Sequence, residues 1–382
     1  MSGRVADVEM DGLEALVRES AGADLLYVLL RERGRPVGRL VLERPRALDG
    51  AALHRLAEEA TAPARAAGEE QVAALPADRL SVVVATRDRP ESLSRTLAAL
   101  RRLSPPPGEL LVADSGSRDA AAVAETARRH GARCVRLDRP GLSLARNAGA
   151  AAATGEAIAF LDDDCLADPG WVGALCRGFG DPAVDVVTGQ LLPAELETDA
   201  QLLFLRYAHM DRRGFVPARF SAAHPPSKHW PLDAWRMGSG GNLAVRKRAF
   251  ARFGGFREDL GLGTPARGGE DLFLLWQAIR SGSTVVYRPD ALAWHAHHRT
   301  REALENVLFG YGVGHAAYLR VVRGAGAPSA SVARYRAMVL WDRGKRYARA
   351  LLARDAAVRR LVAREMAGMR SGDVTPRDAR TP

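Results

Sequence analysis

The feature that most constrains the fold is a regular alternation of short apolar runs and amphipathic segments that begins after Pro76. The alternation predicts strands at 80–84, 109–113, 132–137 and 157–161, with helices at 92–103, 120–130 and 143–153. Strands buried on both faces and joined by helices favour a parallel, doubly wound α/β sheet. Ligands of such sheets bind beyond the carboxyl ends of the strands.

Polar segments follow three of these predicted strands, at 86–89, 114–119 and 162–164. Each segment alone is ordinary turn chemistry, because Asp, Ser and Gly readily make the bend. All three lie at the same end of the predicted sheet. Together they indicate a ligand site at that edge.

The third segment is the acidic triplet Asp162, Asp163 and Asp164, which closes the apolar run 157–161. Three adjacent carboxylates repel one another, and a divalent cation or several hydrogen-bond donors must offset that repulsion. The triplet therefore predicts a metal site.

Length and composition set the wider limits. A chain of 382 residues suits one large catalytic domain with additions, or two to three modules. The cysteines Cys134, Cys165 and Cys176 form no Cys-x-x-Cys pair, so neither a disulfide framework nor a thiolate zinc site is expected. The first 12 residues lack an apolar stretch, and no segment is apolar enough to span a bilayer. We expect a cytoplasmic protein.

Four segments are predicted along the chain. Residues 1–76 form a small module, with a β-hairpin of strands 24–31 and 37–43 and a helix at 49–72. The remaining segments are a catalytic domain at 77–300, a basic helical extension at 301–370 and a disordered tail at 371–382.

Positive charge is concentrated at the C-terminal end. Residues 301–382 hold 16 basic and 7 acidic side chains, which accounts for nine of the net ten positive charges. Such a region could meet nucleic acid, anionic lipid or an acidic substrate, and solvated helical faces are the simpler interpretation. We expect peripheral contact of 301–370 with anionic lipid at the inner face of the membrane, and no nucleic-acid partner.

Residues 80–300 resemble an inverting, family 2 nucleotide-sugar glycosyltransferase of the GT-A fold. The resemblance implies a Rossmann-like, mixed α/β sheet flanked by helices, with a small N-terminal α+β extension and a C-terminal helical extension. The motifs that carry it are 82–87, 112–117, 141–149, 161–164, 238–242, 254–258 and 269–271. Their order and spacing make the resemblance more specific than any single motif.

The resemblance implies that Thr86 and Asp114 hold the base and ribose of a donor nucleotide, with a UDP-sugar as the expected donor. A carboxylate can accept hydrogen bonds from a ribose hydroxyl or a base N–H, and the alternative for Asp114 is a turn or helix cap. Arg146 is expected to steady Asp114, the acidic triplet or the nucleotide. The implied donor-binding residues are Thr86, Arg87, Asp114, Ser115, Arg146, Asn147, Asp162, Asp163, Gly240 and Gly241.

The same resemblance assigns Asp164 to a metal ion, together with Asp162 and His295. Mn²⁺ or Mg²⁺ suits these ligands, and the ion would neutralise charge on a departing diphosphate. His297 and His298 are alternatives to His295. Three histidines in four positions also suit zinc, but the acidic triplet favours a harder ion.

For the reaction, the resemblance implies Asp271 as the general base, with Glu270 as the second candidate. The acceptor offers a hydroxyl or amine on a glycan, a lipid-linked molecule or a small molecule. Processive synthases carry a Gln-x-x-Arg-Trp motif and membrane helices, and neither is found here, so transfer is expected to be non-processive. The aromatic segment 200–237 suits an acceptor-side loop, and equally a core or a lid.

Two other functions are compatible with parts of the sequence. A sugar-phosphate nucleotidyltransferase can use a related sheet, but the turn at 86–90 lacks the glycine-rich phosphate loop of that class. A scaffold that binds nucleic acid or a lipid surface could use the basic extension. Such a scaffold would not need both the acidic triplet and the Glu270-Asp271 pair.

Overall fold

The computed structural model describes residues 3–20, 22–45, 48–68, 73–208 and 213–372. Its strands are β1 Gly3–Glu9, β2 Leu25–Glu32, β3 Arg35–Glu43, β4 Leu80–Thr86, β5 Glu109–Ser115, β6 Arg133–Leu137, β7 Ala157–Asp162, β8 Cys165–Ala167, β9 Val184–Pro193, β10 Ala218–Phe220, β11 Asn242–Arg246 and β12 Thr284–His295. Its α-helices are α1 Leu13–Glu19, α2 Gly50–Ala67, α3 Pro90–Leu100, α4 Ala120–Arg129, α5 Leu142–Ala152, α6 Trp171–Gly178, α7 Asp199–Ala208, α8 Lys247–Phe253, α9 Glu270–Arg280, α10 Arg301–Gly324, α11 Ser329–Leu352 and α12 Ala356–Ser371. Most of the tail predicted to be disordered, residues 373–382, lies outside the described residues.

The large sheet has the order β10-β12-β9-β11-β7-β4-β5-β6, with β8 paired to β12. Strands β7, β4, β5 and β6 are parallel, as the alternation predicts. Beyond Asp162 the sheet is mixed, as the family resemblance implies, because β11 runs antiparallel to both β7 and β9. An antiparallel neighbour needs no crossover helix, so the alternation of strands and helices does not reveal it.

The central strands are apolar on both faces. In β4, Val83 and Ala85 face one core with α5, α8 and α9, whereas Val82 and Val84 face another with α3, α4 and α6. Successive side chains of a strand point to opposite faces, so a continuous apolar run supplies both cores. Helices on both faces leave the strand ends as the place for polar side chains.

The N-terminal module is a three-stranded sheet in the order β1-β2-β3, with β1 parallel to β2. The hairpin turns at Arg33 and Gly34, which have φ of 52° and 77° and lie between the two predicted strands. Positive φ at both positions is typical of a type I′ turn, whose twist matches that of the flanking strands. Strand β1 was not predicted, because its charged residues and half-buried positions hide its pattern.

The C-terminal extension consists of α10, α11 and α12, in the region predicted to be helical. Helix α10 packs against α12 and also against α9 of the main domain. Among the described residues, no helix combines the length and the apolar character that a membrane crossing needs.

Candidate active site

The acidic triplet lies where β7 leaves the sheet. Asp163 is buried and accepts a 2.6 Å hydrogen bond from Thr86 Oγ1. The Thr96 hydroxyl donates to the Asp163 carbonyl oxygen. Burial raises the pKa of Asp163 to about 6, with the Thr86 hydrogen bond opposing it and the charge of Asp164 adding to it. Thr86, predicted to bind the donor, thus also fixes the middle carboxylate of the triplet.

Arg89 brings positive charge to the triplet. Its Nη1 lies 3.3 Å from Asp163 and 3.2 Å from Asp164. Arg87, the arginine predicted to bind the donor, instead lies 3.7 Å from Asp88 with 47% of its side chain exposed. Arg89 precedes Pro90, the first residue of α3. Proline is common at the first position of a helix. Pro90 is therefore the sequence signal that could have located Arg89 in the turn before α3, at the edge of the site.

Asp164 faces His295 from the neighbouring strands. The His295 Nε2 lies 3.4 Å from Asp164 Oδ1, and Cys165 pairs with His295 across β8 and β12. Burial disfavours the charged form of both side chains. Their contact outweighs it, so the pKa of Asp164 is lowered and the pKa of His295 is raised. Burial raises the pKa of Cys165 well above its usual range, so this thiol stays protonated.

Asp164, Cys165 and His295 present ligand atoms that all lie within 4.8 Å of one another. A carboxylate oxygen and an imidazole nitrogen at this spacing fit Mn²⁺ or Mg²⁺, whereas a neutral thiol is a poor ligand for such ions. Asp162 is not part of this cluster. The predicted metal site therefore rests on Asp164 and His295 in this structure.

The other two histidines are not among these grouped ligand atoms, although the His297 ring centre lies 5.0 Å from that of His295. His297 is buried against Phe204, with ring centroids 4.6 Å apart. Burial lowers the pKa of His297 to about 3, which keeps it neutral. His298 is exposed. His295 is thus the histidine that the structure brings to Asp164.

Arg146 on α5 is a buried guanidinium that joins two carboxylates. It donates to Asp162 at 2.7 Å and to Glu270 at 3.0 Å, and it lies 5.1 Å from the Phe256 ring centre. Burial raises the pKa of Glu270 to about 7, and the charge of Asp271 adds to the effect while Arg146 opposes it. The Arg146 guanidinium faces the carboxylates of Asp162, Glu270 and Asp271, so protonation of one carboxylate is favoured.

Asp271 lies in the first turn of α9, half-buried, with Oδ2 accepting a 2.9 Å hydrogen bond from the Gly240 N–H. A Cβ at Gly240 would lie 2.8 Å from the Asp271 Cβ, and one at Gly241 would lie 2.6 Å from Asp162 Oδ2. Glycine at both positions lets the loop before β11 touch both carboxylates. The predicted pair of glycines therefore lies at the acidic site.

Asp114, at the end of β5, is buried in contacts of its own. Its Oδ1 accepts a 3.0 Å hydrogen bond from the Ser117 N–H, and Arg136 donates to Oδ2. The hydrogen bond from Ser117 forms a turn, which is the alternative role that the sequence analysis gave for Asp114. Each carboxylate oxygen can accept a second hydrogen bond, so a donor contact remains compatible with this geometry.

Two further residues predicted to bind the donor also have internal partners. Ser115 Oγ accepts a hydrogen bond from the Gly141 N–H at 2.8 Å. The Asn147 amide accepts from the Phe256 N–H and donates to the Phe256 carbonyl, both at 2.8 Å. Asn147 therefore positions the loop at Phe256 in this structure, and its contact with a donor stays a prediction.

Residues 81–253 match the model of a family described as glycosyl transferase family 2. The pre-mycofactocin glycosyltransferase of Mycobacterium tuberculosis is 30% identical over 225 residues, which are 57% of this chain and 43% of that protein. Residues 81–253 belong to glycosyl transferase family 2. We call them the family 2 domain.

Two other proteins are similar to this chain over a range longer than the family 2 domain. The probable N-acetylgalactosaminyltransferase 9 of Caenorhabditis elegans is 27% identical over 240 residues, 58% of this chain and 40% of that protein. This chain thus spans less than half the length of both curated relatives. One solved structure with a similar fold is that of the mannosyltransferase PcManGT from Pyrobaculum calidifontis, in complex with GDP-Man and Mn²⁺. It is 20% identical to this chain with a TM-score of 0.51, and the match covers 81% of this chain and 92% of that one. The chain has the predicted GT-A fold.

The site also contains a residue from outside the family 2 domain that the sequence did not reveal. Tyr311 lies on α10, and 47% of its surface is exposed. Desolvation raises the pKa of Tyr311, and the charges of Asp271 and Asp164 raise it further. The charges of the acidic cluster therefore act on the Tyr311 hydroxyl. No local motif marks Tyr311, because only the packing of α10 brings it there.

Proposed function

We propose that this protein transfers a single sugar from a nucleoside-diphosphate sugar to a hydroxyl or amine acceptor, with inversion and without processivity. The observation that carries the proposal is the facing pair Asp164 and His295, 3.4 Å apart, at the carboxyl edge of the sheet. Asp271 lies on the neighbouring α9. A pair that can hold a cation, beside the Asp271 carboxylate, suits diphosphate departure and proton removal at one site.

Asp164 and His295 would hold a divalent ion, Mn²⁺ or Mg²⁺. The ion would supply positive charge that stabilises the departing diphosphate. Arg89 lies within 3.3 Å of Asp163 and Asp164 and adds a guanidinium on the same side. Guanidinium groups bind phosphate oxygens through paired hydrogen bonds, so Arg89 can contact the donor diphosphate.

Asp271 would act as the general base. The acceptor oxygen attacks the anomeric carbon on the face opposite the diphosphate, and its proton passes to an Asp271 carboxylate oxygen. The new carbon–oxygen bond forms as the bond to the diphosphate oxygen breaks. The N–H groups of Gly240 and Leu272 donate to Asp271 and hold its orientation. Glu270 is the second candidate, although its raised pKa favours a protonated, structural role.

A UDP-sugar is the first donor to test, as the family resemblance implies. GDP-mannose is the second, because the PcManGT structure contains GDP-Man. The acceptor is a glycan, a lipid-linked molecule or a small molecule. Thr86, Asp114 and the glycines at 240 and 241 line the edge where the nucleotide would bind.

The test compares Asp164→Asn with Asp271→Asn. Asp164→Asn should abolish Mn²⁺-dependent donor binding in calorimetry as well as transfer. Asp271→Asn should keep donor binding and lose transfer by about 10²-fold or more, the usual contribution of general base catalysis. Asp259→Asn removes an exposed carboxylate as the control. Full transfer activity in either site variant contradicts the proposal.

We also propose that α11 contacts an anionic membrane at the inner face. Trp341 and Leu352 are 69% and 85% exposed, and the spacing of 11 residues places them on one helix face. Lys345 and Arg349 lie exposed between them. Aromatic and apolar side chains with basic neighbours are typical of helices that lie at a membrane interface.

A further inference from the structure

A cavity of about 1370 Å³ lies between the N-terminal module and the main domain. The acidic triplet, His295 and Asp271 do not line it. The hairpin β2–β3 contributes three arginines to its wall, and the facing side contributes four more. From the hairpin these are Arg31, Arg33 and Arg35, and from the facing side Arg102, Arg177, Arg219 and Arg288.

The described wall carries a clear excess of positive charge. Its carboxylates are Asp7, Asp168 and Asp290, and Asp181 pairs with Arg219 from outside the wall, so seven guanidinium groups meet four acidic side chains. Concave surfaces lined by one sign of charge concentrate ions of the opposite sign. The cavity therefore attracts anions.

Some of these arginines have partners that fix the shape of the wall. Arg31 bonds Asp7 of the module and Asp168 of the β8–α6 loop, which ties the two sides together. Arg177 and Arg288 share Asp290, at 2.7 and 2.9 Å. A wall held by ion pairs keeps its geometry when a ligand enters, which lowers the ordering cost of binding.

Two arginines remain available. Arg33 and Arg102 are exposed, and neither has a side-chain hydrogen bond or ion pair in the part of the chain that the structure describes. Arg33 belongs to the type I′ turn of the hairpin, with φ of 52°. Arg102 follows α3 on the facing side. The cavity thus has a free guanidinium on each of its two sides.

We propose that this cavity binds a small compound that carries two or more phosphate groups. Guanidinium forks bind phosphate oxygens through paired, charge-assisted hydrogen bonds. The cavity exceeds the roughly 300–1,000 Å³ that is common for ligand pockets, so it has room for a small molecule. A flat bilayer surface does not enter a concave cavity between two modules. The site is separate from the metal pair, so the proposal does not rest on the proposed function.

The test is isothermal titration of the full chain with inorganic tripolyphosphate in EDTA. Chelation removes divalent ions that would let phosphate bind beside Asp164. Wild-type protein should bind at one site, and Arg33→Asn with Arg102→Gln should weaken binding by about tenfold or more. Asparagine is chosen at 33 because it tolerates a positive φ.

The matched control is Arg55→Gln with Arg128→Gln, which removes the same charge from two exposed helix faces outside the cavity. Tripolyphosphate binding in this control should stay within about twofold of wild type, because salt screens the charges of exposed side chains outside the cavity. Absence of tripolyphosphate binding to wild type overturns the proposal, as does an equal loss in the control. Capture on phosphoinositide vesicles without tripolyphosphate binding would show that the phosphate belongs to a lipid, and this too overturns it.

Discussion

At the scale of single residues, the site depends on which arginine reaches the acidic triplet. Arg87 and Arg89 are two positions apart in one turn, yet only Arg89 contacts Asp163 and Asp164. The polar segment 86–89 contains both arginines, and the family resemblance selected Arg87. The direction of the chain as it enters α3 decides which side chain turns toward the triplet.

The pair offers a matched test. Arg89→Gln should weaken nucleoside diphosphate binding in the presence of Mn²⁺ by about tenfold, because a charge-assisted contact of roughly 1.5–3 kcal/mol is lost. Arg87→Gln removes the same charge from an exposed position and should change binding by less than about twofold. Isothermal titration with UDP and GDP measures both. Equal effects of the two variants would argue against a donor contact by Arg89.

Glu270 predicts a dependence of stability on pH. Its pKa is raised from 4.5 to about 7 in the folded protein, because burial and Asp271 favour the proton. Between these pH values the folded state holds a proton that the unfolded state releases, so stability falls as pH rises. Wild type should lose on the order of 1–3 kcal/mol relative to Glu270→Gln between pH 5 and pH 8.

Urea unfolding of both proteins at the two pH values measures this difference. Gln can still accept the hydrogen bond from Arg146, so the comparison isolates the titration of Glu270. A difference in unfolding free energy that stays constant with pH would show that Glu270 is ionised throughout.

At the scale of elements, β12 shows how the metal pair is assembled. The strand passes through Pro289 and Asp290 and continues to His295. Its pairing with β9 shifts register between Arg288 and Leu292. The ion pairs of Asp290 with Arg288 and Arg177 hold this irregular stretch inside the sheet. Pro-Asp is a usual turn signal, and tertiary contacts override it here.

Helix α11 is the element tested for membrane contact. Replacing Trp341 and Leu352 together by Ala should reduce binding to phosphatidylserine-rich vesicles by about tenfold or more, because roughly 2–3 kcal/mol of apolar burial is lost. Co-sedimentation with these vesicles, and with phosphatidylcholine vesicles, measures the effect. Leu262→Ala removes a side chain that is 61% exposed elsewhere and should leave binding unchanged. Undiminished binding of the double variant would exclude α11 as the contact.

At the scale of the whole molecule, the N-terminal module and the large sheet share an apolar core. Leu192 of β9 and Leu292 of β12 are fully buried in the same cluster as Leu26 and Leu29 of β2. Trp294, next to His295, packs against this cluster. The module therefore supports the strand that carries the proposed metal ligand.

Removal of residues 1–76 should expose this core. The shortened chain should melt more than about 5 °C below the full chain, in line with a loss of several kcal/mol. Scanning calorimetry should show one transition for the full chain, because a shared core couples the two parts. An unchanged melting temperature would show that the module is an independent appendage.

The sequence by itself determined the strands 80–84, 109–113 and 157–161, the polar ends of those strands and the match of residues 81–253 to glycosyl transferase family 2. These features are local, because strand period, turn chemistry and motif spacing are properties of neighbouring residues. The contacts of Arg89, the place of Tyr311 and the shared core of the module were decided only by the tertiary structure. They depend on packing between elements far apart in the chain, for which the sequence carries no periodic signal.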